Sequence, residues 1–268
     1  LILTNDPFYC RQVKTSLRKV SADDILVFSF PTINDFILAS YFAKKGKKVH
    51  IDFRDSILDD SMIKLSYYQR IILKRHFNNL RCSGLVTVSS VSLHMSQQLE
   101  SYFSNPMYIP NFRDLTLQKS IKFEIKKSLS LVLFGQIESS YSRDSKIFFE
   151  AIQFLALKYP QISFHFTWFG LKSNAELNLQ KEMLSELKNL TFENKTPIDE
   201  NQLLKETFDI ALLYGVEGMP GYISSKFFSY LALNIPIIAA SQGNELGYYI
   251  EKYNVGYSGV FDREFIIK

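Results

Sequence analysis

Short apolar runs alternate with helix-length segments along almost the whole chain. In the first 110 residues this pattern predicts strands at Ile25–Phe30, Val49–Phe53, Gly84–Val88 and Met107–Ile109, and helices at Asn34–Lys45, Ser61–Leu80 and Ser92–Phe103. Strands that alternate with helices and read as unbroken apolar runs are typical of parallel sheets covered on both faces. We therefore expect an α/β protein built on parallel sheets.

The same rhythm returns after a polar, lysine-rich stretch at residues 111–128. Strands are predicted at Leu129–Phe134, Ile162–Phe169, Leu190–Glu193, Ile210–Tyr214 and Ile237–Ala240, and helices at Lys146–Leu157, Ala175–Leu190, Asp199–Glu206, Ser225–Leu233 and Glu245–Tyr253. We therefore predict two Rossmann-like domains, 1–115 and 116–268, with a ligand cleft at the carboxyl ends of their strands. The first domain is expected to be incomplete, because the chain opens inside a predicted strand, Leu1–Asn5, without Met.

Composition narrows the class of protein. Of the 268 residues, 46% are hydrophobic and 22% are charged, which is typical of a folded chain and argues against disorder. No apolar run approaches the roughly 18 residues that would span a bilayer. The two cysteines, Cys10 and Cys82, form neither a metal-binding spacing nor a disulfide framework, which favours a reducing compartment. We expect a cytoplasmic protein.

Charge is spread unevenly. Residues 1–120 contain 16 Lys and Arg against 10 Asp and Glu, a net charge of +6, whereas the remainder carries −2. A basic first half suits an anionic partner such as a phospholipid surface or a lipid-phosphate acceptor. A chance asymmetry of solvated charges explains it equally well.

Residues 64–81 (KLSYYQRIILKRHFNNLR) mix Tyr, Ile and Leu with five basic residues. They fit an interfacial helix that binds anionic lipid at the inner face of the plasma membrane. They fit better a helix that packs on its own sheet and turns a basic side outward. We expect no nucleic-acid partner.

Several common chemistries lack their signatures. The chain has no G-x-G-x-x-G after a strand, no G-x-x-x-x-G-K-[ST] and no G-x-S-x-G. The four His residues (50, 76, 94 and 165) show no metal-ligand spacing, and there is no Asp-x-Asp triplet. Dinucleotide binding, P-loop and common hydrolase chemistry are therefore disfavoured, as is transfer that depends on a metal.

Cations at predicted helix starts indicate a phosphate site. Gly135 follows a strand, and Arg143 and Lys146 lie at the start of the next helix. Ser225 and Lys226 begin another helix just before a buried strand. Helix N-termini favour anions, and a neighbouring Lys or Arg strengthens that preference. Each cation alone is more often an ordinary solvated charge, but the two helix starts together favour a diphosphate clamp.

Six motifs in order resemble the GT-B glycosyltransferases, particularly the retaining family 4 enzymes. They are VHIDFRDS (49–56), VTVSSVSLHMSQQL (86–99), MYIPNFRD (107–114), LVLFGQI (131–137), LTFENKTPIDENQLLKETFDIALLYG (190–215) and SSKFFSYLALNIPIIAA (224–240). The resemblance covers nearly the whole chain. It implies two Rossmann-like domains that face a central cleft, with a sugar nucleotide on the second.

The resemblance also implies roles for individual residues. Arg143 and Lys226 would neutralise the diphosphate as it leaves. The donor-binding residues would be Gly135, Gln136, Thr196, Glu217, Tyr222, Ser225 and Ser229. The acceptor-side residues would be Ser29, Arg54 and Asp55. No metal, cofactor or enzyme nucleophile is expected, UDP is the expected nucleotide, and the acceptor is a glycan or lipid-linked saccharide in surface polysaccharide or glycoconjugate synthesis.

Three positions depart from the family pattern. Ser229 stands where the family carries a Glu that binds the donor ribose, Gly221 replaces a second acidic residue, and Gln136 replaces an Arg. Glu217 lies close enough in sequence to substitute for a missing acid. The leading hypothesis is a glycosyltransferase, and the alternative is a silent GT-B subunit that scaffolds a partner transferase. A sugar epimerase or phosphorylase is a weaker third hypothesis.

Overall fold

The computed structural model describes residues 21, 24–29, 32–54, 66–111, 126–135, 145–170, 172–196, 207–215, 220–241 and 243–259. The chain divides into two compact units, Leu1–Pro110 and Asn111–Lys268. Each unit contains its own sheet, and every strand pairing in both sheets is parallel. The predicted α/β class with parallel sheets is therefore confirmed.

The first unit is a four-stranded sheet flanked by helices. Its strands are β1 (Ile25–Ser29), β2 (Lys48–Phe53), β3 (Val86–Ser90) and β4 (Met107–Tyr108), and its helices are α1 (Ile33–Lys44), α2 (Tyr67–Arg81) and α3 (Leu93–Leu99). The strand order is β1-β2-β3-β4. Because right-handed crossovers in such an order all turn to the same side, the connecting helices share one face of the sheet.

The other face of this sheet differs from the prediction. Leu26 is buried against the helices, whereas Ile25 and Val27 are 59% and 62% exposed. The alternation continues on β2, where Val49 and Ile51 join the apolar core while His50 stays half-exposed. Coverage on both faces is therefore not seen at β1, because the helices described for this unit lie on one side of the sheet.

Local capping sets where helices begin. Thr32 caps α1, and its side chain and that of Asp35 exchange hydrogen bonds with each other's backbone N–H. Ser66 and Gln69 form the same capping box at the start of α2. Because Ser66 is extended, α2 begins at Tyr67 instead of running unbroken through the predicted 61–80. The prediction missed the cap inside its own range.

The second unit is a six-stranded sheet. Its strands are β5 (Ser128–Phe134), β6 (Ser163–Phe169), β7 (Leu190–Lys195), β8 (Ile210–Tyr214), β9 (Ile237–Ala240) and β10 (Gly256–Gly259), and its helices are α4 (Ser145–Lys158), α5 (Asn174–Leu184), α6 (Ser225–Ala232) and α7 (Glu245–Lys252). The predictions missed β10 and extended α5 to Leu190, whereas the helix ends at Leu184; the start of β7 at Leu190 was predicted correctly. The helix predicted at 199–206 lies outside the described residues.

The strand order of this sheet is β10-β9-β8-β5-β6-β7. The chain moves outward from β5 to β7 and then returns to the other side of β5 as β8, which is the doubly wound order of a Rossmann domain. Alternate residues of β5 enter separate cores: Leu131 and Leu133 pack with α4 and α5, and Val132 packs with α6 and α7. Both faces of this sheet are covered, as predicted.

Candidate functional site

The order of strands reverses between β5 and β8, and a buried tyrosine lies at that point. Pairing of the two strands ends at Leu133 and Leu212. Beyond it, the N–H of Phe134 donates to the Tyr230 hydroxyl at 2.8 Å, and that hydroxyl donates to the Leu212 carbonyl at 3.0 Å. Burial raises the pKa of the Tyr230 phenol well above its ordinary value, so the bridging proton stays in place. Ligands of open α/β sheets bind at such a switch point, beyond the carboxyl ends of the strands.

Gly135 is the first residue after β5 and has a backbone that favours glycine, with φ +106°. Its N–H donates to the Phe169 carbonyl at 2.7 Å, and its carbonyl accepts from the Trp168 indole Nε1 at 2.8 Å. A methyl group on its Cα would collide with Cε of Lys226 and lie 3.0 Å from Nζ. The Lys226 side chain therefore lies directly against the backbone at the switch point.

Lys226 is in the first turn of α6. The buried Ser224 caps this helix, and its side chain accepts from the Lys226 N–H at 3.4 Å. Lys226 and Tyr230 are four residues apart, so they share one side of the helix. The site suits an anion such as a diphosphate, because it combines a helix N-terminus, a lysine ammonium and the closely approaching backbone of a glycine.

A second layer of contacts supports Gly135 from β6 and β7. A methyl group on Gly170 would collide with the Gly135 carbonyl, so the two backbones are in close contact. Lys172 Nζ donates to the carbonyls of Gly170 at 2.8 Å and Lys195 at 2.9 Å, and lies 5.0 Å from the centre of the Trp168 ring. Burial lowers the pKa of Lys172, against the opposing charge of Glu176. The sequence interpretation missed this layer, although a Trp and a Gly at the end of a strand were a visible signal.

A third glycine lies where β8 ends. The N–H of Gly215 donates to the Ala240 carbonyl at 2.7 Å, and a methyl group on Gly215 would lie 2.6 Å from the Ser241 hydroxyl oxygen. Ser241 donates to the side chain of Asn244 at 2.5 Å, and Asn244 caps α7. The carboxyl ends of β5, β6 and β8 are therefore all followed by glycines that neighbouring groups approach closely.

The structure places the predicted donor residues as follows. Gly135 and Lys226 are in contact. Ser225 is exposed at the first position of α6, Ser229 is half-buried one turn later, Tyr222 is half-buried in the segment before the helix, and Thr196 is exposed directly after β7. Arg143, Gln136 and Glu217 lie outside the described residues, so their roles stay predictions.

In the first unit, Ser29 and Arg54 meet at one carboxylate. Asp52 is buried, and it accepts from Arg54 Nε at 2.5 Å, from the Ser89 hydroxyl at 2.7 Å and from the Ser29 hydroxyl at 3.2 Å. Burial alone would raise the pKa of Asp52, but the Ser89 hydrogen bond, the hydrogen bond and charge of Arg54, and the Ser29 hydrogen bond together lower it. Asp55, the third predicted acceptor-side residue, lies outside the described residues.

His50 extends this network along the sheet. Its Nε2 lies 3.0 Å from the Ser89 hydroxyl, and its Nδ1 lies 2.9 Å from the Thr87 hydroxyl. Because the Ser89 hydroxyl donates its proton to Asp52, His50 Nε2 is the donor to Ser89. The sequence interpretation missed Asp52, Ser89 and His50. The two-residue spacing of His50 and Asp52 on β2 was a visible signal, because it puts both side chains on the same side of the strand.

Comparisons with known proteins identify the fold. No protein-family model matches the chain, and no curated protein matches it. Among solved structures, it is similar to TarM, at 14% identity and a TM-score of 0.62, over 95% of this chain and 48% of that one. It is also similar to an E. coli trehalose-6-phosphate structure bound with UDP-2-fluoro glucose, at 12% identity and a TM-score of 0.66, over 97% and 67%.

A third similar structure is the Glycosylation Associate Protein (Gap123) complex from Streptococcus agalactiae, at 15% identity and a TM-score of 0.52, over 93% of this chain and 48% of that one. The chain spans about half the length of TarM and Gap123. These likenesses, together with the two parallel sheets, show a GT-B glycosyltransferase-like fold. The resemblance read from the sequence is thereby confirmed at the level of the fold.

Within the part of the chain that the structure describes, none of the helices is long and apolar enough to cross a bilayer.

Proposed function

We propose that this chain is a glycosyltransferase that moves a sugar from a nucleotide-diphosphate sugar, with UDP as nucleotide, to a saccharide acceptor. The observation that carries the proposal is the packing of Lys226 against Gly135 at the switch point of a Rossmann-ordered sheet. A sugar nucleotide requires a cation near its diphosphate, and this position supplies one together with a helix N-terminus. The similar E. coli structure holds UDP-2-fluoro glucose and a similar S. aureus TarM structure holds UDP, which supports this choice of ligand.

In the proposed reaction, the bond between the anomeric carbon and the diphosphate oxygen breaks, and negative charge grows on the leaving diphosphate. The acceptor hydroxyl oxygen forms the new bond to the anomeric carbon, and its proton passes to the leaving diphosphate. Lys226 and the first N–H groups of α6 stabilise that charge. Tyr230 and Trp168 hold the strand ends on which the diphosphate rests. In this proposal residues 116–268 bind the donor, residues 1–115 bind the acceptor, and transfer proceeds with retention and without a metal.

On the acceptor side, the proposal assigns Arg54 to orient the incoming saccharide. Its Nε is fixed by Asp52, whose lowered pKa keeps the carboxylate ionised at neutral pH. A charge-assisted hydrogen bond of this kind restricts the arginine to one direction. Ser29 shares the same carboxylate and lies at the carboxyl end of β1.

The test uses the only tryptophan of the chain. Because Trp168 donates to the Gly135 carbonyl, its fluorescence should change when UDP or a UDP-sugar binds beside Gly135. Lys226→Met keeps the length of the side chain and removes its charge, so it should weaken UDP binding by at least about tenfold, as expected for loss of a charge-assisted contact.

Lys188→Met is the matched control. Lys188 is exposed and lies two residues before β7 begins. It is therefore at the amino edge of the sheet, away from the proposed site. It should bind UDP like the parent chain. Equal affinity in all three proteins would contradict the site, and the lack of any nucleotide binding by the folded chain would contradict the function. Product analysis with and without EDTA tests retention and metal dependence.

The second candidate function is a silent subunit that scaffolds a partner transferase. The specific observation that favours it is Ser229, which stands half-buried on α6 where the family carries a ribose-binding Glu. The similarity to the Gap123 complex is consistent with a role inside an assembly. The two candidates separate in the fluorescence titration, because only the transferase requires UDP to bind beside Trp168.

A further inference from the structure

Helix α2 leaves three large side chains in solvent, although its other side is firmly packed. Leu73, Phe77 and Leu80 are buried in the core of the first unit. On the opposite side, Tyr67, Tyr68 and Ile71 are 73%, 76% and 48% exposed. The rings of Tyr67 and Tyr68 contact each other, with centroids 5.9 Å apart. Packing against its own sheet therefore explains only the inner side of this helix.

The same outer side is strongly basic. We define the outer face of α2 as the exposed residues Tyr67, Tyr68, Arg70, Ile71, Lys74, Arg75 and Arg81. Residues 67–81 carry four Lys and Arg and no acidic residue. The positive charge extends to Lys44 at the end of α1. Burial lowers the pKa of His76, and the neighbouring charges of Arg75 and Lys44 lower it further.

We propose that the outer face of α2 docks on an anionic phospholipid surface. Tyrosine rings and isoleucine fit the boundary between headgroups and acyl chains, and arginine and lysine beside them pair with anionic headgroups. The charge favours a membrane over a protein partner, because a cluster of one sign matches a uniformly negative surface. This inference does not rest on the proposed function.

Helix α7 of the second unit provides an internal comparison. It also exposes Tyr248, at 55%, and the residue that caps its C-terminus, Tyr253, at 58%. Its charges are mixed, however, with Glu245 and Glu251 beside Lys252. Lys252 lies 5.2 and 5.6 Å from the two tyrosine rings, within the distance of a cation–π contact. Exposed aromatic area is thus present on both helices, but only α2 combines it with charge of a single sign.

The experiment is co-sedimentation of the 268-residue chain with lipid vesicles. We expect binding to vesicles in which about a third of the phosphatidylcholine is replaced by phosphatidylglycerol, little binding to phosphatidylcholine alone, and loss of binding at high salt. Replacing Arg70, Lys74 and Arg75 together by Gln should lower the partition coefficient on the order of a hundredfold.

Two further variants separate insertion from charge. Tyr67→Ser with Tyr68→Ser should weaken binding to anionic vesicles at low salt without changing how steeply binding falls with added salt, because it removes inserted apolar surface and no charge. Tyr248→Ser with Tyr253→Ser removes a comparable pair from α7 and should leave binding unchanged. Circular dichroism and urea unfolding show whether each variant keeps its fold. The proposal is overturned if the parent chain ignores anionic vesicles, if it binds neutral vesicles equally well, or if the α2 and α7 variants behave alike.

Discussion

The hydroxyl of Tyr230 should contribute more to stability than any ordinary surface hydrogen bond. It accepts from the Phe134 N–H and donates to the Leu212 carbonyl, where β5 and β8 stop pairing with each other. Tyr230→Phe removes the hydroxyl and keeps the ring, which packs against Phe134 at a centroid distance of 4.9 Å. The change therefore isolates the bridge between the two strands.

The expected loss follows from the two backbone groups left behind. An unsatisfied buried donor or acceptor costs about 1–3 kcal/mol. Leu212 is buried and Phe134 is half-buried, so we expect Tyr230→Phe to lower the free energy of unfolding by about 3 kcal/mol. For a unit of this size that corresponds to a melting temperature lower by roughly 6–12 °C.

Urea unfolding followed by Trp168 fluorescence measures this loss. Trp168 is fully buried in the second unit, so it reports on that unit even if the two units unfold separately. The control is Tyr249→Phe, which removes a hydroxyl that donates to Glu245 Oε1 at 3.0 Å, one turn away on α7. That variant should stay within about 0.5 kcal/mol of the parent.

A loss of stability in Tyr230→Phe no larger than that in Tyr249→Phe would contradict the bridging role of the phenol. The Phe134 N–H and Leu212 carbonyl would then be satisfied without the phenol. The strand ends beside Gly135 would not depend on α6. A loss of stability together with weaker UDP binding would instead tie the bridge to the proposed donor site.

Three further predictions concern other parts of the chain. Gly135→Ala should lower the free energy of unfolding by about 1–3 kcal/mol and weaken UDP binding in the fluorescence titration, because φ +106° is unfavourable for alanine and the new methyl group would collide with Lys226. Its control is Gly84→Ala, which should leave UDP binding unchanged, because a methyl group there has nothing within 4 Å. The pKa of Asp52 lies below its ordinary 3.8, so the stability that the carboxylate contributes is complete above that value and is lost as pH falls through the lowered pKa. In melts followed by circular dichroism, Asp52→Asn should therefore be less stable than the parent near neutral pH and should lose less stability in acid. The pKa of His76 lies below 6.5, so the unfolded chain takes up the proton first and stability should fall as pH drops below that value. Urea unfolding of His76→Gln should show a smaller fall in stability over the same pH range. An equal fall would contradict the role of His76 in this pH dependence.

Much of the secondary structure could be predicted from local pattern. The strands Ile210–Tyr214 and Ile237–Ala240 were predicted with the boundaries that the structure has. Continuous apolar runs between turn residues determine such strands locally. The errors arose where a local signal was weak or overlooked, as with the Ser66 cap of α2 and the short strand β10, whose sequence GYSG has little apolar character.

The candidate site could be predicted only in part. Gly135 and Lys226 were predicted as donor-site residues, because a glycine after a strand and a lysine at a helix start can be recognised from the local sequence. Their contact, and the roles of Trp168 and Gly170 behind them, depend on which strands are neighbours. Asp52 was overlooked for the same reason, because its three hydrogen-bond donors come from β1, β3 and the residue following β2.

Local sequence pattern is enough to predict the alternation of strands and helices and the lysines in the first turns of α4 and α6, because periodicity and helix capping act over a few neighbouring residues. Only the tertiary structure decided which strand ends meet. The bridge between Phe134 and Tyr230 joins positions 96 residues apart. It exists because β8 returns beside β5 while α6 packs across both, and burial of apolar side chains on both faces of the sheet holds that arrangement in place.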